Sequence, residues 1–265
     1  MAFPPAPIVA APEPGLQRYG LFRVAAGPLD MPGPHAEAAG VRYTPPACGD
    51  SYAVAVDCPG PTELPAPDTD NAELATGVFS VRSALECSAV GVTEAEYRAR
   101  LLRRLEASEQ PTVETAFASG LDYSGGTLNA LSLDGAAEAV TGPYDSTDIR
   151  SVVGALLQEA VAAYGFRPVI HAPASAEPYA TDAGLVVADG TFLRTPSGAL
   201  WAFGAYPAGE LFISGAITIW RAADPAVYSV FDQATNVRTL VAERAYALGI
   251  DCGFAARADF TPLGS

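Results

Sequence analysis

A chain of 265 residues, 49% of them hydrophobic and with a mean hydropathy of +0.19, can bury one large core or two modest ones and is not a disordered polymer. The net charge of −15 at pH 7 excludes wrapping nucleic acid through phosphate contacts, which need clustered cations. All 15 basic residues are arginine, and the missing lysine removes Schiff-base catalysis, Walker-type phosphate binding and lysine isopeptide crosslinks together.

The chain opens on MAFPPAPIVAAPEPG, which lacks the basic start and apolar core of a signal peptide. No apolar run approaches the roughly 20 residues that span a bilayer, so the expectation is a soluble protein folded in a cytoplasm. The first 70 residues hold 14 of the 23 prolines, the density of an extended arm. Phe3, Ile8, Val9, Leu16 and Phe22 alternate with those prolines, as in a segment that lies along another surface. Within the arm, YGLFRVA (19–25) reads as a short strand. Residues 50–87 read as a hairpin-like unit: SYAVAVDC goes out, PGPTELPAPDTDNAE is a long acidic turn, and ATGVFSVRSALEC returns.

Thr93 and Glu96 have the spacing of a capping box, which predicts a long helix. Tyr97, Leu101, Leu102, Leu105, Val113 and Phe117 form its apolar stripe, Pro111 marks a bend or restart, and Gly120 is a fair C-terminal cap. Arg98, Arg100, Arg103 and Arg104 interleave with Glu94, Glu96, Glu106 and Glu109, which favours a solvated or subunit-pairing face over a nucleic-acid stripe. After a Gly-rich connector, a second helix is predicted from Ser146 or Thr147 to Gly165. Its stripe is Ile149, Val152, Val153, Leu156, Leu157, Ala160 and Tyr164. RPVIHAP (167–173) then reads as a buried strand, SAEPYATDAG as a short helical stretch, and the rest as strands. Such an order gives an α+β architecture without internal repeats.

Chemistry is harder to place. His35 falls in the Pro-rich arm and His171 inside an apparent buried strand, and no G-x-S-x-G elbow exists, so neither is a convincing catalytic base. His171 is expected to be a satisfied structural histidine. Cys48, Cys58, Cys87 and Cys252 have no C-x-x-C pair, which excludes a zinc ribbon and favours buried free thiols, with a late disulfide among the first three left open. No metal, cofactor or catalytic site is expected. Paired carboxylates would remain available to an unfamiliar enzyme, which should show a pocket of convergent acids.

The order of these parts, together with SVVGALLQEAVAAYGFRPVIHAP and VRTLVAERAYALGIDCGFAARADF, resembles the major capsid proteins of tailed bacteriophages, the Hong Kong 97-type fold. That resemblance implies an N-terminal arm over residues 1–49, an extended loop over 50–87 and a peripheral domain with a spine helix over 88–140. An axial domain over 141–215 and return strands of both domains over 216–265 complete it. It also implies a non-enzymatic virion subunit, assembled in a host cytoplasm, that joins copies of itself in hexamers or pentamers. Decoration, scaffold and portal proteins would be its other partners, with DNA enclosed but not specifically bound and no membrane involved. Encapsulin compartment shells share this fold and are the alternative. In either case Glu243 and Arg244 are the candidate intersubunit or structural charge pair.

Overall fold

The computed structural model describes residues 17–45, 48, 73–88, 93–232 and 237–262, with residues 34, 35, 87 and 88 described by their backbone only. In chain order these form α1 (Leu21–Val24), β1 (Ala26–Asp30), α2 (Pro34–Ala39), β2 (Val41–Tyr43), β3 (Leu74–Thr76), β4 (Phe79–Ser88) and α3 (Glu94–Ser119). There follow α4 (Leu133–Ala136), β5 (Glu138–Ala139), α5 (Ile149–Ala163), β6 (Val169–Pro173), α6 (Glu177–Asp182), β7 (Val187–Asp189) and β8 (Phe192–Arg194). The remainder is strand: β9 (Leu200–Gly204), β10 (Glu210–Ser214), β11 (Ile217–Arg221), β12 (Ala226–Asp232), β13 (Val237–Ile250) and β14 (Ala255–Asp259).

Two sheets carry the molecule. In the first, β13 is the spine. One of its edges pairs with β12 over 237–243 and with β11 over 246–250, while the other pairs with β4 over 237–246. β1 then adds in parallel beyond β11. The second sheet has the order β5-β14-β10-β6-β9-β8-β7. The chain therefore finishes its first sheet with β13 and crosses to the second with β14.

Each sheet has one principal helix. α3 starts where Thr93 accepts the Glu96 amide and Glu96 returns to the Thr93 amide, and it ends at Gly120, whose φ of 67° lies in the left-handed region. Leu101, Leu105, Val113 and Phe117 then pack on Val81, Ile219, Tyr246 and Leu248 of the first sheet. α5 starts from Asp148, which accepts the Arg150 amide, and lays Ile149, Val152, Val153, Leu156 and Ala160 on Trp201, Phe203, Ile213 and Ala258. VIHAP of β6 is buried at every position because β9 and β10 flank it and a helix covers it.

Several sequence expectations change. Residues 19–25 hold the single helical turn α1 and not a strand, because Leu21 is fully buried and its amide is taken by a helix carboxylate. Pro111 does not restart the long helix: α3 is continuous over 26 residues. Pro111 and Ala107 both face solvent, so the side that loses a helix hydrogen bond at proline is the exposed one. The run FSVRSALECS pairs with β13, while its expected partner, residues 51–58, lies outside the described residues. Free thiols are not what Cys48 and Cys252 provide. They are bonded to each other across 204 residues, because the turn after β13 comes to rest beside the end of β2. Cys58 lies outside the described residues, as does the side chain of Cys87.

Candidate functional site

Successive residues of a strand face opposite sides, so Glu243 and Arg244 do not meet each other. Glu243 lies across from Arg82 of β4 and accepts its Nε–H, and that contact raises the Arg82 guanidinium above its ordinary value. Arg244 turns inward. Its Nη1 lies 2.8 and 3.0 Å from the two carboxylate oxygens of Glu109, and Arg221 stands 3.8 Å away. Glu109 is only 3% exposed, so its charge is held by cations where water cannot reach. Burial, with the Glu109 charge beside it, holds the Tyr246 hydroxyl above its ordinary range.

A second carboxylate of α3 does different work. Glu114 is fully buried and accepts the backbone amides of Leu21 and Ala205, each at 2.8 Å. It thereby ties α1 and the end of β9 to the long helix. The space is made by glycine: a Cβ on Gly20 would lie 2.3 Å from a Glu114 oxygen, and one on Gly204 2.2 Å. Burial raises the Glu114 carboxyl, and the two amides only partly oppose that.

His171 is as closed as its strand predicts. Its Nδ1 lies 3.0 Å from the Tyr206 hydroxyl and its Nε2 2.8 Å from Ser214 Oγ, which donates to the Gly215 carbonyl. One consistent set of protons satisfies the chain: Tyr206 donates to Nδ1, and Nε2–H donates to Ser214. Complete burial pushes the imidazole down to about 3, so it stays neutral and sealed from any substrate. His35 lies in α2, and its side chain is outside the described residues.

A groove of about 840 Å³ runs between α3, β4 and the loop after α3, with Phe79, Pro111, Leu121 and Tyr123 on its walls. Its one carboxylate is Asp122, whose Oδ1 is engaged by the amides of Ser124 and Gly126 within its own turn. The groove thus lacks the convergent acids that a carboxylate enzyme would show. Among the described residues no helix is long and apolar enough to cross a membrane.

No family model matches this sequence, and no curated protein does either. Solved structures do match. The capsid of an empty GTA particle superposes with a TM-score of 0.56 at 13% identity, covering 97% of this chain and 95% of that one. A chain of Mycobacterium phage Ogopogo gives 0.56 at 14% identity, with 98% and 97% covered. The capsid of Ralstonia phage GP4 gives 0.52 at 10%, with 98% and 96% covered. This chain has the Hong Kong 97-type capsid fold. The α+β expectation and the resemblance drawn from the order of elements both hold at the level of fold.

Within this Hong Kong 97-type fold, the residues singled out from sequence are each engaged inside the chain, by Arg82 and by Glu109. Missed were the two buried carboxylates and the Cys48–Cys252 bond. For Glu109 a signal existed. Leu101, Leu105, Glu109, Val113 and Phe117 recur at every fourth position, so a charge stands in the middle of the apolar stripe.

Proposed function

We propose that this chain is a structural subunit of a closed icosahedral shell, the capsid of a tailed phage, that encloses DNA and has no catalytic role. The observation that supports it is the likeness over nearly the whole length, 97% of this chain against 95% of the GTA particle capsid chain. In this reading α3 and the first sheet serve as the peripheral domain and the second sheet as the axial domain. Residues 1–49 act as the arm and the region 50–87 as the extended loop. Glu243 and Arg82, on the outward face of the first sheet, are available to a neighbouring subunit, whereas Arg244 serves the interior.

Surface chemistry fits association with other copies. Among the described residues β12 is an edge strand that leaves Tyr228, Val230 and Phe231 exposed, and Tyr123 stands fully in solvent. The charge of −15 weakens contact with phosphate, which suits a container that must not grip its contents. Hexamers or pentamers of this chain, with decoration, scaffold and portal proteins as further partners, complete the proposal, with assembly in a host cytoplasm. The test is to purify particles from the native source, treat them with nuclease and measure what is protected. Protected DNA is expected. Particles that hold a protein cargo and no nucleic acid would contradict the phage reading and leave a compartment shell.

A further inference from the structure

We propose that the Cys48–Cys252 bond is a redox clasp: closed, it pins the root of the 44–73 segment to the turn between β13 and β14, and opened by a dithiol it frees that root while both cores stay folded. Three consecutive residues of that turn are gripped from outside it. The Ile250 amide donates to Tyr43 Oη at 2.9 Å, and the Tyr43 hydroxyl donates to the Ile250 carbonyl at 2.9 Å. The Asp251 carboxylate accepts from the Tyr164 hydroxyl at 2.8 Å. Cys252 is bonded to Cys48, with Cα atoms 5.4 Å apart, well inside the range a disulfide spans.

The three grips are not alike. Tyr164 belongs to the end of α5 and keeps the turn on the second sheet whatever happens to the sulfurs. Tyr43 and Cys48 belong to the departing chain. β2 and β3 pair antiparallel at Val41–Tyr43 and Leu74–Thr76, so the segment between them leaves and returns at one place. Tyr43 is held further by Trp220, their rings 5.6 Å apart, over a Gly249 where a Cβ would come within 2.9 Å of both. Past Tyr43, Pro45 is buried against the body and Cys48 is held by the sulfur bridge. Breaking it therefore moves the last anchored residue, among those described, from Cys48 back to Pro45.

Cys252 also has the backbone of a glycine. Its φ of 56° makes it the only non-glycine among the described residues in the left-handed region, and Gly253 follows at 62°. Cysteine is disfavoured there unless its side chain is used. Asp251 and the two sulfurs lie close enough to suggest a cation site, but Tyr164 engages that carboxylate and the sulfurs engage each other. A groove of about 330 Å³ adjoins Cys252, with Thr141, Glu159 and Phe254 on its walls, and both cysteines are only partly buried, so a small reagent reaches the bond.

Opening is ordinary exchange. A thiolate of the dithiol attacks one sulfur and forms a mixed disulfide, and its second thiol then displaces the protein sulfur. Two electrons and two protons pass to Cys48 and Cys252, and the reagent leaves as a cyclic disulfide. Closing runs through a small disulfide such as oxidised glutathione, which takes the two electrons and departs as two thiols.

The test uses the full chain in solution and is independent of whether it assembles. Protein equilibrated with oxidised glutathione should yield a peptide linking Cys48 to Cys252. On adding dithiothreitol, amide exchange at Ala47 and Cys48 should rise by about tenfold while 41–43, 101–117 and 149–160 are unchanged. Cys252→Gly, which suits the left-handed backbone, should exchange like the reduced protein and ignore the reductant. Absence of the linked peptide, unchanged exchange on reduction, or a response of Cys252→Gly to dithiothreitol would each overturn the clasp.

Discussion

Glu109 and Glu114 are buried on the same helix in different company, and their chemistry diverges accordingly. Glu109 lies between two arginines, so Glu109→Ala leaves Arg244, itself mostly buried, without its carboxylate partner. The expected cost is about 3–5 kcal/mol by urea denaturation. A loss under about 1 kcal/mol would mean that Arg244 finds water instead. Glu114 faces amides and the Tyr206 ring, and burial lifts its carboxyl above the ordinary 4.5. Because the folded chain then takes up the proton first, the stabilising contribution is complete below about 4.5 and is lost as pH rises through the folded value. The difference in stability between the natural chain and Glu114→Gln should fall as pH climbs from 4.5, and a difference that is flat or rising would contradict this. Sequence could show Glu109 as a charge inside an apolar stripe. It could not show the partners, which lie 135 residues away for Glu109 and 93 and 91 for Glu114.

Elements with local causes were legible in the sequence. A capping box, a stripe at helical spacing and a terminal glycine place α3, and the same logic places α5 and β6. Leu105→Ala should cost about 2–5 kcal/mol, the range for a buried leucine truncated to a methyl group. Val161→Ala on the solvent side of α5, where the side chain is 72% exposed, should cost less than about 0.5 kcal/mol. Equal losses at both positions would mean that the packing of α3 is misassigned. Elements with distant causes were not legible. YGLFRVA alternates like a strand, yet it turns into α1 because a carboxylate of α3 claims its first amide. β4 has the pattern of a strand, but nothing local says that its ladder is β13. The disulfide is the extreme case, since the spacing of cysteines along a chain carries no trace of a turn that arrives 204 residues later.

At the scale of the whole molecule, two sheets share one chain that crosses between them, and the long strand β13 holds three partners along its two edges. Among the described residues such a frame ends at β12 on one side and carries a groove along α3. Each is explained if a neighbouring copy supplies the missing surface, and interfaces of that kind bury more than about 2,000 Å². No lysine is present for an isopeptide lock and the Cys48–Cys252 bond lies within one chain, so we propose that neighbouring copies in a shell are held by non-covalent burial. Electron microscopy of the purified chain expressed alone is the most direct test. Rings of five or six subunits, or round closed shells built from them, are the predicted result. A chain that stays monomeric at every concentration reached, with β12 and the α3 groove open to solvent, would contradict the account.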